Sequence, residues 1–258
     1  MHKPSAIIAF FDLDKTLIDV NSATLWVKSE LREGRISWWM ATRAFFWTIM
    51  YSLGWTRMER LLLEGIAWLH GQKVGPLVER THNFYLEHVR IRYRPGAMKA
   101  LQAHKDAGHV IALCTSSSSI LSHFVAQELA IPYILANGLA TAENHFTGKP
   151  DPEVLCYGNG KLVHAQALAA RLDVSLDDCV FYTDSVADLS LLEKVGTPVV
   201  VHPDRRLRRI AVQRSWLVED WGENQGPLVE HRFAQTTPDK SAVTSLVVER
   251  SWPGIADS

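Results

Sequence analysis

Cysteine is scarce in the 258 residues. Cys114, Cys156 and Cys179 are odd in number, far apart and set in apolar runs, which excludes a disulfide frame and suits reduced core thiols in a cytoplasmic compartment. Net charge is nearly absent too. Twenty-seven basic residues against 28 acidic ones leave −1, with a pI near 6.8, so no global field gathers nucleic acid or an anionic membrane. The eleven histidines never stand in an H-x-x-x-H spacing, and they receive no metal or catalytic duty. Internal repeats and low-complexity tracts are also lacking. The opening stretch MHKPSAIIAFFDLDKTL has an apolar run of only about six residues before charge arrives, so it reads as a buried strand rather than a signal peptide or an anchor.

What is present is a globular composition, 47% apolar and 21% charged, enough for one large domain or two modest ones. Short β-branched or aromatic runs occupy Ser5 to Phe11, His109 to Cys114, Tyr133 to Ala136 and Cys179 to Asp184, and PVVV precedes His202. Helical stretches separate them. That alternation predicts a parallel α/β sheet with helices on both faces. Residues 17–95 break the pattern and read as an inserted, almost wholly helical domain, which leaves residues 1–16 and 96–221 as the α/β core. Residues 222–258 are polar, with one candidate strand at SLVVE, and are treated as an appendage.

Candidate chemistry begins at FDLDKTL. Asp12 and Asp14, one residue apart at the end of a buried strand, repel each other, and a divalent cation relieves that conflict. Magnesium prefers such hard oxygen ligands. Thr115, at the end of the second strand, is followed by serines at a helix N-terminus, where free N–H groups make an anion site. In CYGNGK, Lys161 opens a helix, where a cation opposes the macrodipole and so points to an anion nearby. The run imitates the end of a P-loop, but Leu162 stands where Ser or Thr is required and no strand directly precedes it, which rejects that reading. In YTDSVADLSLL, Asp184 and Asp188 at i, i+4 are expected on one helical face. All four elements fall after carboxyl ends of predicted strands, the edge where open parallel sheets place ligands.

With these motifs in this order, residues 5–214 resemble the haloacid dehalogenase superfamily, in its phosphoserine-phosphatase-like branch (subfamily IB). The resemblance implies a Rossmann-like core with the helical insertion as its cap, and ANGLATAENHFTGK as a β-hairpin. It implies Asp12 as nucleophile, Asp14 as general acid/base, and Thr115, Ser116 and Lys161 as phosphate holders. Asp12, Asp14 and Asp184 would hold Mg2+, with Asp188 in support. Two departures stand out: Thr183 occupies the place before Asp184 where the family usually has glycine, and Asn21 occupies the place where phosphoserine phosphatases carry a glutamate that holds the substrate amino group. Asp19 is two positions away and does not inherit that role.

The expected activity is therefore Mg2+-dependent hydrolysis of a small-molecule phosphate monoester through an aspartyl-phosphate. Competing readings are a membrane-interface phosphatase of lipid-like esters and a non-catalytic binding protein that keeps the fold. The first arises from tryptophan. Six of nine (Trp26, Trp38, Trp39, Trp47, Trp55 and Trp68) fall within residues 26–68, and Ile36 to Trp55 is nearly long enough to span a bilayer. A span there would put Asp12 on one side and Thr115, Lys161 and Asp184 on the other, so the run is expected to form the cap core, with peripheral membrane contact as the sharper alternative. Arg205, Arg206, Arg208 and Arg209 are expected to be a solvated helix face, not a nucleic-acid groove.

Overall fold

The computed structural model describes residues 7–35, 58–223 and 239–249. The centre is strand β1 (Ile8–Phe11), fully buried along its length. It is flanked by β2 (Val110–Ser118), which starts with Ile8 paired to Val110, and by β6 (Val180–Thr183), which places Phe11 beside Tyr182. β3 (Tyr133–Asn137) continues beyond β2, and β7 (Thr197–Val201) and β8 (Leu217–Glu219) continue beyond β6. The order is β3-β2-β1-β6-β7-β8, with all pairings parallel.

Near-continuous apolar runs form these strands because both faces are covered. Alternation sorts the side chains. Ala9, Phe11, Ile111, Leu113, Tyr182 and Val199 enter one core, while Ile8, Phe10, Ala112, Cys114, Phe181 and Val200 enter the other. The first face is closed by α4 (Pro95–Asp106) and α5 (Ser119–Leu129) through Met98, Leu101, Ile120 and Phe124. The second is closed by α6 (Asn159–Arg171), the single turn α7 (Leu189–Leu192) and α8 (Arg205–Gln213). The two-faced α/β core expected from the alternation is thus present. All three cysteines are buried and reduced.

Between β1 and α4, the described residues carry α1 (Ser22–Arg32), α2 (Met58–Ala67) and α3 (Val74–Phe84). The outgoing and returning chains touch where Ile18 bridges Tyr93 and Asp19 N–H donates to Arg92 O at 3.0 Å. The expected hairpin is β4 (Leu139–Ala142) with β5 (His145–Pro150), turned through Glu143 and Asn144, both at positive φ. It leans on the inserted helices: Phe146 N–H donates to Gln72 O, Gly71 N–H to Phe146 O, and a Cβ on Gly148 would meet His70 Cβ at 3.0 Å.

Several expectations change. SLVVE is not a strand. It lies in α9 (Lys240–Glu249), which packs on α3 and α5 and buries Val243 completely. β-branched residues look like strand in a short window, and docking onto two helices overrides that preference. Within the C-terminal stretch, the described helix Lys240–Glu249 is therefore docked on the rest of the molecule. β8 was not expected, nor was the tight seat of Trp221, whose carbonyl accepts from Gly96 N–H at 2.9 Å and whose Cβ lies 2.5 Å from where a Gly96 Cβ would stand. Arg205, Arg206, Arg208 and Arg209 are exposed above buried Leu207 and Ala211, as a solvated face requires. Of the tryptophan cluster, Trp26 packs edge-on to Phe84 at 5.0 Å and Trp68 is exposed. The run from Ile36 to Trp55 lies outside the described residues. Among the described residues no helix is long and apolar enough to cross a membrane.

Candidate active site

β1 and β6 are neighbours in the sheet, yet the chain leaves β1 toward β2 and leaves β6 toward β7, on opposite sides. Such a reversal opens a crevice at the carboxyl ends of the strands. Asp12 is the first residue past β1 and Asp184 the first past β6, and Asp12 N–H donates to Tyr182 O at 3.0 Å across the gap.

Lys161 enters from the second face. It is 2% exposed, and its Nζ donates to Asp12 Oδ1 and to Asp188 Oδ2, each at 2.8 Å. The local reason is backbone: Gly158, at φ 54, turns the chain into α6, and a Cβ on Gly160 would strike Leu155 O at 1.8 Å. Burial alone would lower the Lys161 pKa, but Asp12 and then Asp188 overcome it and hold the ammonium well above its usual value. Lys161 is thus a buried cation between two acids.

Asp14 follows in a wide single turn, Leu13 to Leu17, where Lys15 adopts φ 58. Its Oδ1 accepts from Ser22 N–H at 2.9 Å and its Oδ2 from Ser117 Oγ at 3.4 Å, while Ser22 and Ser117 hydroxyls stand 3.1 Å apart. Burial raises its pKa against the pull of those hydrogen bonds. Thr115 is fully buried, and its Oγ1 accepts from Ser117 N–H at 3.1 Å. Ser116 contributes its carbonyl to Asn137 Nδ2 at 2.6 Å. The strand runs three residues past Thr115, and Ser118 is the cap of α5, accepting from Leu121 N–H at 3.4 Å.

Asp184 and Asp188 do not share a helical face. Asp184 lies in the loop, and Asp188 ends the 3-10 turn Val186–Asp188 before the single turn α7. The i, i+4 spacing suggested one helix, but the loop spends its first residues turning out of the sheet. Ser22, Ser117 and Thr183 were missed as contacts: Thr183 Oγ1 donates to Asp188 Oδ2 at 2.7 Å. Nothing local in the sequence marks Ser117, because its partner Asp14 lies 103 positions away, and Thr183 was marked only as a departure from the family pattern. Asn21 is exposed and caps α1, accepting from Thr24 N–H at 2.9 Å.

Four carboxylates thus face one buried ammonium. Burial pushes Asp12 up to about 8, with Lys161 opposing and Asp188 and Asp184 adding to it, and pushes Asp184 up to about 7. Among the described residues no three His, Cys, Asp or Glu side chains close on one point as a finished cage. Magnesium does not need one. It keeps several waters and uses one or two carboxylates with substrate phosphate, so the hard oxygen set and the excess negative charge fit it.

The haloacid dehalogenase-like hydrolase family matches residues 9–193. The chain belongs to that family. A Mycobacterium tuberculosis protein named phosphoserine phosphatase SerB1 is 29% identical in an alignment of 228 residues that covers 83% of this chain and 70% of that protein. A histidinol-phosphatase of Neisseria meningitidis is 27% identical over 82% of this chain and 97% of its own length. A solved protein of unknown function from Bordetella pertussis Tohama I aligns with a TM-score of 0.77 at 27% identity, covering 84% of this chain and all of that one. This member of the family is phosphoserine-phosphatase-like and is an enzyme, a phosphatase.

Proposed function

We propose that this phosphatase hydrolyses a small-molecule phosphate monoester with Mg2+, through an aspartyl-phosphate on Asp12. The observation that carries the reading is Lys161 bridging Asp12 and Asp188 at 2.8 Å each, with hydrogen-bonded Asp14 beside them. With Asp12 Oδ1 held by Lys161, Oδ2 attacks phosphorus while the bond to the ester oxygen breaks. Asp14, its pKa raised by burial, gives its proton to that oxygen. As a carboxylate it then takes a proton from water, whose oxygen bonds to phosphorus as the Asp12 carboxylate departs.

Lys161 N–H, Thr115 and Ser116 hold the phosphoryl oxygens in this reading. Asp12, Asp14 and Asp184 would hold Mg2+, and Asp188 supports the site through Lys161. Bound Mg2+ would supply the charge that keeps Asp12 and Asp184 ionised and neutralises the phosphoryl oxygens. Asn21, exposed and occupied as a cap, puts no carboxylate where a substrate amino group would need one, so specificity rests elsewhere in the insertion.

A screen of phosphorylated metabolites and phospholipid head-group esters with Mg2+, with Asp12→Asn as control, tests the reading. Turnover is expected only in the wild type. Phosphate release by a folded Asp12→Asn protein would sink it. Neutral and anionic vesicles added to the same screen separate a peripheral membrane enzyme, which co-sediments, from one that meets its substrate in solution.

A further inference from the structure

Thr183 ends β6 beside Val200 of β7, with no exposed surface. A buried hydroxyl is costly unless both its capacities are used. Here both are: Oγ1 donates to Asp188 Oδ2 at 2.7 Å and accepts from Ser185 N–H at 3.2 Å. The same Asp188 oxygen receives Lys161 Nζ. One chain of hydrogen bonds therefore runs from the loop that carries Asp184, through Thr183 and Asp188, to the ammonium on Asp12.

We propose that Thr183 is a positioning residue whose hydroxyl fixes Asp188 and so aims Lys161 at the phosphoryl group; this rests on the phosphatase reading above. Two of the three Lys161 N–H bonds go to Asp12 and Asp188. The direction of the third is set by those two, and an Asp188 carboxylate with one fixed donor instead of two is free to rotate and take the ammonium with it. The tie to Ser185 N–H adds a second effect, since it holds the residue next to Asp184.

Valine keeps the shape of threonine and deletes the hydroxyl; serine keeps the hydroxyl and deletes a methyl. A packing role makes Thr183→Val the better-tolerated variant and Thr183→Ser the worse. A positioning role reverses the order. Wild type and both variants are compared for kcat and KM on p-nitrophenyl phosphate with Mg2+, for binding of inorganic phosphate with Mg2+ by calorimetry, and for thermal melting.

Thr183→Val is expected to weaken phosphate binding and lower kcat/KM by about tenfold, the effect of one hydrogen bond to a charged group. Thr183→Ser stays within about threefold of wild type in both. A Val variant as good as wild type, or a Ser variant as poor as the Val one, overturns the proposal. In a Lys161→Met background Thr183→Val should cost nothing further in phosphate binding, and an undiminished loss there also overturns it. If Lys161→Met does not fold, the Val and Ser order decides alone. A wild type that binds phosphate but cleaves no ester overturns the phosphatase reading, while the binding ratios still judge Thr183; a wild type that binds no phosphate overturns both.

Discussion

At Lys161 two buried carboxylates share one ammonium, and its loss would leave them facing each other with no cation between. Removing one partner of a buried ion pair leaves an uncompensated charge and costs about 3–5 kcal/mol. Lys161→Met should therefore unfold at lower urea than wild type at pH 8 without divalent metal. The deficit should shrink at pH 6, because Asp12, already raised to about 8 with the lysine present, escapes the repulsion by taking up a proton. An equal deficit at both pH values would contradict the charge account. The participants were legible in the sequence as residue types, but their pairing was not: Asp12 and Lys161 are 149 positions apart, and only the packing of α6 against β2 and β3 brings this lysine, rather than an exposed one, to the end of β1.

Elements show a different division. β1 was readable because a short apolar run buried on both faces has few other solutions, and the α4 start was marked by Pro95 at its first position. α9 was misread because SLVVE has strand residues and no local sign of its partners. Its docking yields a prediction. Val243 has no exposed surface, so Val243→Ala should lower stability by about 1–2 kcal/mol through the cavity left between α9 and the helices it covers. A surface helix would show no change in denaturant midpoint. Gly96→Ala should also destabilise, since the new Cβ would lie 2.5 Å from Trp221 Cβ and one of the two chains must move. Its melting temperature should fall even though alanine favours helix, whereas a rise would show that Trp221 yields at no cost.

For the molecule as a whole, the crowded carboxylates make stability and metal binding depend on pH in a stated direction. Asp12 and Asp184 keep protons up to about 8 and 7, while in the unfolded chain they release them near 4. The folded state thus binds more protons, so metal-free stability falls as pH rises through that range. His104 and His123 act oppositely: burial holds both down to about 4, so their contribution is complete above about 6.5 and lost as pH falls toward 4. Between pH 6.5 and 8 only the carboxylate trend remains, and the melting temperature of the metal-free protein should decline. Mg2+ should raise it more at pH 8 than at pH 6.5. Titrations in buffers of different ionisation enthalpy should show protons released on Mg2+ binding near pH 7; no release would mean the metal is held away from Asp12 and Asp184.

From the sequence alone came the α/β class, the helical insertion and the ordered set Asp12, Asp14, Thr115, Lys161 and Asp184, because strand periodicity and residue chemistry are local properties, while the hairpin followed from the family resemblance. The tertiary structure decided what those residues do to one another. It set Lys161 between Asp12 and Asp188, placed Ser22 and Ser117 on Asp14 and Thr183 on Asp188, and parted Asp184 from Asp188. It also turned SLVVE into a helix. Each of these depends on distances between elements far apart in the chain, and burial multiplies the electrostatic consequence of every such distance.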